Sequence, residues 1–205
     1  MEKLFAFDMD GTLLSARSIR ELAKFFGFKQ QLEPLLGKNS KESAEEIAGL
    51  LKGRKTAEIE TVASTLRFSQ NAQEVVNEIK NRNHRVVIIT DGYDAVAQQV
   101  AMRLGGVDEI ISLRLLSIGG KVSGVQFPQA CFEGDYPTWK ARALKNACRE
   151  HGFNMKDCVA IGDNQVDESM LKVAGTAIAY KPKTKKLEEI ADITTNDMRD
   201  VLKYA

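Results

Sequence analysis

The sequence is poor in cysteine and has no excess of charge of either sign. Its 205 residues include three cysteines, at positions 131, 148 and 158, with no CxxC spacing. An odd number of widely spaced cysteines predicts no disulfide framework and favours a reducing compartment. Lysine and arginine number 29 against 28 aspartates and glutamates, so the formal net charge is +1. That balance argues against a general nucleic-acid binder, which carries a basic excess.

Long apolar segments are also missing. The longest strongly aliphatic run is Val86–Ile89, whereas a membrane-spanning helix needs about 20 apolar residues. The first residues, Met-Glu-Lys, lead directly into a strand pattern and show no signal-peptide pattern. We therefore expect a cytoplasmic protein with neither a membrane nor a nucleic-acid partner. The chain length fits one domain, or one domain that carries a smaller insertion.

Short, continuous apolar runs alternate with amphipathic helical patterns over most of the chain. Five runs predict buried strands: Leu4–Phe7, Arg85–Thr90, Cys158–Ile161, Thr176–Tyr180 and a short one around Ile193. Their alternation with helices from about residue 71 onward predicts an α/β fold with a doubly wound, Rossmann-like parallel sheet. Asn71 and Glu74 predict a capping box at the start of one helix. Between residues 110 and 127, the pair Gly119-Gly120 predicts a hairpin between short strands.

Residues 14–70 break this alternation. Three apolar helix faces follow one another there, centred on Leu22, Ala48 and Val62, and no strand pattern separates them. A helical connection of this length between paired strands predicts that the helices form a separate structural unit. The alternative is a set of ordinary helices that pack on the sheet. We expect a core of residues 1–13 and 71–205, with a small helical cap, residues 14–70, over the carboxyl ends of the strands.

Acidic residues follow three of the predicted strands. Asp8 and Asp10 follow the first strand, Asp91 the second and Asp163 the third. Ligands of open α/β sheets bind at the carboxyl ends of strands, so these side chains should converge. Two carboxylates about 4 Å apart repel by about 4 kcal/mol at an effective dielectric constant of about 20. The cluster therefore needs a cation or a proton, and its oxygen ligands suit Mg²⁺. A lone aspartate at a strand end is more often a turn former.

Four motifs, in order along the chain, resemble those of the haloacid dehalogenase superfamily. They are Asp8-Met9-Asp10-Gly11-Thr12, Thr90, Lys140 and the segment Gly162-Asp163-Asn164-Gln165-Val166-Asp167. The helical segment after the first motif and the single Lys140 resemble the phosphoserine-phosphatase-like branch. Asp10 implies phosphate chemistry rather than carbon–halogen cleavage, since a leaving alkoxide needs a proton and a leaving halide does not.

The resemblance implies a role for each acidic motif residue. Asp8 would be the nucleophile that forms an aspartyl-phosphate. Asp10 would protonate the leaving oxygen and then activate the water that hydrolyses this intermediate. Mg²⁺ would be held by Asp8, by Asp10 through its backbone carbonyl and by Asp163, while Asp167 would support the metal shell.

The same resemblance implies which groups hold the phosphate. Thr90 and the backbone amides of Gly11, Asp91 and Gly92 would bind its oxygens, and Lys140 would offset charge on the nucleophile and the phosphoryl group. The basic run of residues 181–186, by contrast, is interpreted as a solvated loop.

The sequence departs from this branch at the positions that read the substrate. Phosphoserine phosphatases usually carry a Glu at the cap entrance, which meets the substrate ammonium, and this chain has Arg17 there. They also carry an Arg on a cap helix, and the best-aligned position here is near Ala48. A guanidinium repels an ammonium, so Arg17 predicts a neutral or anionic leaving group. The alternative is that Arg17 points into solvent.

These observations predict an Mg²⁺-dependent phosphatase that acts on a small phosphorylated metabolite. Hydrolysis of phosphoserine and phosphotransfer through the same intermediate remain as alternatives. A remote alternative is a non-catalytic module that binds a phosphorylated ligand. The sequence leaves the oligomeric state, the pathway and the substrate open.

Overall fold

The apolar runs of the sequence form the middle of one seven-stranded sheet. The computed structural model describes residues 2–205. The strands are β1 (Leu4–Phe7), β2 (Arg85–Tyr93), β3 (Glu109–Ile118), β4 (Lys121–Gln126), β5 (Cys158–Gly162), β6 (Thr176–Tyr180) and β7 (Ile193–Thr195). Their order is β4-β3-β2-β1-β5-β6-β7, and only the β3–β4 pair is antiparallel. This architecture confirms the predicted doubly wound α/β fold.

The central strand β1 sets the position of the site. All four of its residues are fully buried, as in a parallel strand that is covered on both faces. Phe7 at its end is in register with Ile88 of β2 and with Ile161 of β5. The chain builds the sheet outward from β1 in one direction and then in the other, so a topological switch point lies beside this strand. The residues that follow β1, β2 and β5 therefore meet at one edge.

Helices make up the remaining regular structure. The α-helices are α1 (Ser18–Phe26), α2 (Lys29–Leu32), α3 (Lys41–Gly49), α4 (Thr56–Thr65), α5 (Ala72–Asn81), α6 (Asp94–Leu104), α7 (Trp139–Glu150), α8 (Glu168–Leu171) and α9 (Lys185–Ile190). Short 3₁₀ helices span Glu33–Leu35, Gln129–Cys131, Tyr136–Thr138, Met155–Asp157, Gln165–Asp167 and Met198–Tyr204. Among residues 2–205, no helix combines the length and the apolarity that a membrane span requires.

The segment between β1 and α5 is helical, as its apolar spacing predicts. Its helices α1 to α4 follow one another, and α4 packs against α6 of the sheet layer. The chain before α4 is also tied to the β3–β4 hairpin. Gly53 donates its N–H to the Val122 carbonyl at 2.8 Å, and Thr56 donates to Gly120 at 3.0 Å. The division of the chain at residues 13 and 71 stays a prediction.

Two local predictions need correction. The capping box at Asn71 is absent, because Asn71 adopts a left-handed conformation with φ 65° and its side chain caps no helix N–H. Glu74 pairs instead with Arg199, which lies far away along the chain. The sulfur atoms of Cys148 and Cys158 also lie in contact, a pairing that the expectation of no disulfide framework did not anticipate. Both residues are buried, Cys148 in α7 and Cys158 at the start of β5.

Candidate active site

Three buried carboxylates meet where the carboxyl ends of the central strands converge. Asp8 follows β1, Asp163 follows β5, and Asp167 ends the short helical turn after Asp163. One oxygen from each of the three lies within 4.8 Å of the others, and each residue is at most 2% exposed. The backbone N–H of Asp8 donates to the Ile161 carbonyl at 2.9 Å, which continues the β1–β5 register into the site. The sheet therefore positions these groups directly.

Lys140 supplies the positive charge at the centre of this cluster. It is the second residue of α7 and is fully buried. Its ammonium donates to Asp8 Oδ1 at 2.6 Å and to Asp167 Oδ1 at 2.8 Å. Burial lowers the pKa of Lys140, but Asp167 and Asp8 outweigh burial and hold that pKa well above its ordinary value. Lys140 thus stays charged and joins the two carboxylates.

The nucleophile candidate Asp8 has a strained electrostatic environment. Burial raises the pKa of its carboxyl well above the usual range, and the neighbouring Asp167 and Asp163 raise it further. Lys140 opposes both effects. An anionic Asp8 therefore depends on nearby positive charge, which is the condition under which a divalent cation would also be favourable here.

Asp167 orders the loop that carries Asp163. Its Oδ2 accepts the backbone N–H groups of Asp163 and Asn164, both at 3.0 Å. Asn164 caps the same turn in return, because its side chain accepts the Gln165 N–H at 2.8 Å. With Oδ1 bound to Lys140, both oxygens of Asp167 are engaged by donors. This geometry suits a residue that positions Lys140 and the Asp163 loop through hydrogen bonds.

Asp163 is less well satisfied. Both of its carboxylate oxygens are buried, and Oδ1 has no polar partner within residues 2–205. Its Oδ2 contacts the ammonium of Lys183, whose side chain is about half exposed. A buried carboxylate oxygen without a donor is costly. Hard oxygen donors in a set of three suit Mg²⁺, so the residues present fit a divalent-cation site.

Asp10 lies beside this cluster and faces another direction. Its two oxygens accept the backbone N–H of Ser18 at 2.9 Å and the Ser18 hydroxyl at 2.8 Å. Ser18 begins α1, so Asp10 links the catalytic edge to the first helix of the cap segment. Burial raises the pKa of Asp10 to about 6, while the Ser18 hydrogen bonds oppose that increase. The metal contact that the resemblance implies would use its backbone carbonyl instead.

The predicted phosphate-binding groups differ in availability. Thr90 is fully buried, and its hydroxyl accepts the Gly92 N–H at 2.9 Å. The Gly11 N–H is also engaged, by the Leu14 carbonyl at 2.9 Å. A phosphate oxygen would have to share or replace these bonds. Asp91, in contrast, is exposed to the cavity described next.

A cavity of about 110 Å³ opens above the carboxylates. Asp8, Asp10, Asp91 and Asp163 lie on its floor side, and Arg17 lines the part formed by the chain's first helix. The helical segment also contributes apolar and polar groups: Ile19, Leu35, Leu36, Lys38, Ser40, Ser43 and Ile47. The cavity therefore combines a dense anionic base with a mixed upper wall.

The sequence places the cap-helix position that carries an Arg in phosphoserine phosphatases near Ala48, and the structure shows which residues there face the cavity. Ile47 on α3 lines the cavity, whereas Ala48 is 3% exposed and packs in the core. Arg17 is half-buried and lines the cavity, and its role in selecting the substrate stays a prediction.

Sequence reasoning missed Lys183 and Ser18. Residues 181–186 read as a solvated loop, but Lys183 turns back to contact Asp163. The available signal was the position of β6: it is parallel to β5, so the loop that follows it leaves the sheet at the same edge.

Comparisons with known proteins agree with this geometry. The family model for haloacid dehalogenase-like hydrolases matches residues 5–172. A phosphoserine phosphatase of Methanocaldococcus jannaschii is 31% identical over 211 residues, covering 99% of this chain and 97% of that protein. A phosphoserine phosphatase of Halobacterium salinarum is 30% identical, over 88% and 86% of the two chains.

Solved structures show the same likeness. A phospho-aspartyl intermediate analogue of a phosphoserine phosphatase superposes with a TM-score of 0.86 at 30% identity, covering 99% of this chain and 98% of that one. A substrate-bound phosphoserine phosphatase complex gives 0.87 at 29% identity, covering 100% and 98%. These findings confirm the resemblance and the phosphatase class that the motifs predict. The chain is a phosphoric monoester hydrolase that works through an aspartyl-phosphate, and it belongs to the haloacid dehalogenase-like hydrolases, in their phosphoserine-phosphatase-like branch.

Proposed function

We propose that this hydrolase is Mg²⁺-dependent, that Asp8 is its nucleophile and that its substrate is a small phosphorylated metabolite. The observation that carries the proposal is the buried Asp8 carboxylate, which lies against Lys140 and beside Asp163 at the floor of the cavity. Mg²⁺, when bound by Asp8, Asp163 and the Asp10 carbonyl, would offset the repulsion between the carboxylates and a phosphate dianion.

The side chains supply the remaining chemistry. Asp8 attacks phosphorus, so that a bond forms between its oxygen and phosphorus while the bond from phosphorus to the leaving oxygen breaks. Asp10 gives its proton to that leaving oxygen; its pKa of about 6 keeps a protonated fraction near neutral pH. Asp10 then takes a proton from the water that displaces Asp8 from phosphorus. Lys140 balances the charge of Asp8 throughout.

The phosphate itself would be held by groups at the end of β2. Asp91 lines the cavity together with the floor carboxylates, Thr90 precedes it on β2, and the buried Lys140 lies against Asp8. The Gly11 and Gly92 amides would join them only by giving up their present acceptors. Because these two amides are already engaged, we propose the Thr90 hydroxyl as a main hydrogen-bond donor to the phosphate.

Activity against a panel of phosphorylated metabolites tests the proposal. We expect turnover with added Mg²⁺, loss of turnover with EDTA and recovery when Mg²⁺ is restored. Undiminished turnover in a metal-free preparation would contradict the metal requirement. Transfer of the phosphoryl group to an added alcohol in preference to water would instead favour a phosphotransferase.

Two observations point to different leaving groups. The relatives are named phosphoserine phosphatases, which favours phosphoserine. The cavity wall, however, carries Arg17 and Ile47. A guanidinium repels the ammonium of phosphoserine and attracts an anionic group. We favour a neutral or anionic leaving group, such as a sugar or acid phosphate.

The variant Arg17→Glu separates these two possibilities. We expect kcat/KM for an anionic substrate to fall by about 10- to 100-fold, since a charged hydrogen bond contributes roughly 1.5–3 kcal/mol. Small aryl phosphates should be affected much less. Lys24→Glu is the matched control, because it makes the same charge change on the exposed side of α1. Equal losses for all substrates, or efficient phosphoserine turnover by the wild type, would contradict this proposal.

A further inference from the structure

Lys183 reaches the carboxylate cluster from outside the four motifs. It follows β6, and its ammonium contacts Oδ2 of the buried Asp163. The two ends of this ion pair differ, since Asp163 is 1% exposed and the Lys183 side chain is 47% exposed. A long, half-exposed lysine can leave such a contact and be hydrated, whereas the buried carboxylate cannot.

The backbone holds Lys183 at this position. Its N–H donates to the Asp163 carbonyl at 2.8 Å, so the loop after β6 is fastened to the residue that its side chain contacts. Gly11 leaves the space for this pair. Its φ is 93°, and a Cβ there would collide with the Asp163 carboxylate and lie 2.7 Å from Lys183 Nζ. Three separate parts of the chain, at Gly11, Asp163 and Lys183, therefore shape this contact.

The carboxylate that Lys183 contacts is also the one that a divalent cation needs. Asp163 has one buried oxygen, Oδ1, with no donor in residues 2–205, and its Oδ2 contacts Lys183. Lys140, by contrast, is fully buried and pairs with both Asp8 and Asp167. Among residues 2–205, only Lys183 combines positive charge, contact with a cluster carboxylate and access to solvent.

We propose that Lys183 is an internal cation that competes with Mg²⁺ for Asp163 and thereby sets the metal affinity of the site. Metal binding displaces its ammonium toward solvent, and loss of metal returns it to Asp163. The proposal rests on the proposed metal site. It makes Lys183 a positioning residue, since it acts through Asp163 and needs no contact with the reacting atoms.

Calorimetric titration of Mg²⁺ into the substrate-free enzyme tests this competition. Lys183→Met keeps the aliphatic stem and removes the charge, so we expect Mg²⁺ to bind roughly tenfold more tightly than in the wild type. Lys183→Arg keeps the charge and should stay near the wild-type affinity. Lys185→Met is the matched control, because it removes the same charge from an exposed position two residues away and should change the affinity less than about twofold.

A second measurement uses the wild-type protein alone. Brief acetylation by acetic anhydride, followed by peptide mass spectrometry, reports how accessible each lysine ammonium is. We expect Mg²⁺ to increase labelling of Lys183 several-fold and to leave labelling of Lys185 unchanged. This readout requires no variant to fold.

The outcomes are distinct. Equal or weaker Mg²⁺ binding by Lys183→Met, or unchanged labelling of Lys183, would overturn the competition while the metal site stands. Tighter binding by Lys185→Met to the same extent would assign the effect to overall charge and also overturn it. Absence of Mg²⁺ binding by the wild type would contradict the metal site and this inference together.

Discussion

Replacing Lys140 by methionine tests the electrostatic core of the site through protein stability. The ammonium of Lys140 is fully buried and lies 2.6 Å from Asp8 and 2.8 Å from Asp167. Methionine has a similar length and no charge, so the variant keeps the packing and leaves two buried carboxylates without their shared cation. Removing one partner of a buried ion pair costs about 3–5 kcal/mol in free energy of unfolding.

This loss should depend on pH in a defined direction. Burial and Asp167 already raise the pKa of Asp8 in the folded protein, and Lys140 opposes them. Without Lys140 that pKa rises further above the unfolded value of about 3.9. Between the unfolded and the folded pKa of Asp8, the folded variant keeps this carboxyl protonated while the unfolded chain has lost the proton. The stability of the variant therefore falls as pH rises through this range. The difference from wild type is smallest near pH 4 and largest at neutral pH.

Urea denaturation measures this effect. At a slope of about 2 kcal/mol per M, a loss of 3–5 kcal/mol lowers the midpoint by about 1.5–2.5 M. Lys145→Met on the exposed face of the same helix is the control, and it should stay within about 0.5 kcal/mol of wild type. Added Mg²⁺ should restore part of the stability of Lys140→Met, because it binds only the folded cluster. Equal stability of the two variants at every pH would refute the argument.

The remaining predictions concern Asp10, the proposed general acid, and the neighbouring Gly11. Asp10→Asn should lower kcat for alkyl phosphates by about 10²–10⁴-fold and affect an aryl phosphate with a good leaving group much less, because that group leaves without a proton. Steady-state kinetics on both substrates check this, and equal losses would remove Asp10 from the proton transfer. Gly11→Ala should weaken Mg²⁺ binding and destabilise the fold by about 1–3 kcal/mol, since its φ is 93° and the added methyl meets Asp163. Calorimetry and urea denaturation measure the two effects, and a variant like wild type in both would show that the close approach carries no cost.

The buried centre of the fold could be predicted because its signals are local. The strands β1, β5 and β6 are continuous apolar runs whose residues are almost all buried. Strand β3 lies nearer the sheet edge, and its mixture of exposed and buried residues gave a weaker pattern. The start of helix α5 at Asn71 follows the sequence pattern, but its capping box could not be ruled out from the sequence, since Glu74 pairs with the remote Arg199. The Cys148–Cys158 contact likewise depends on how α7 returns to the sheet.

The candidate site could likewise be predicted where its signals are local and not where they depend on remote contacts. The motif carboxylates could be placed together because each follows a parallel strand or lies on the loop behind one. The role of Lys183 could not be found locally, because its contact requires the chain to turn back after β6. The turn contains Lys181 at φ 45°, an uncommon conformation for a residue with a side chain. The amides of Gly11 and Gly92 were expected to bind phosphate oxygens, and only the structure shows the acceptors that they already have.

The covalent role of Asp8 is the central claim, and trapping the phosphorylated enzyme tests it most directly. Wild-type protein is mixed with a rapidly hydrolysed aryl phosphate and Mg²⁺, quenched in acid and analysed as intact protein and as peptides. The account predicts an adduct with the mass of one phosphoryl group, carried by the peptide that contains Asp8 and absent from Asp8→Asn. Steady turnover with no adduct at any quench time, or an adduct that maps to another residue, would contradict it.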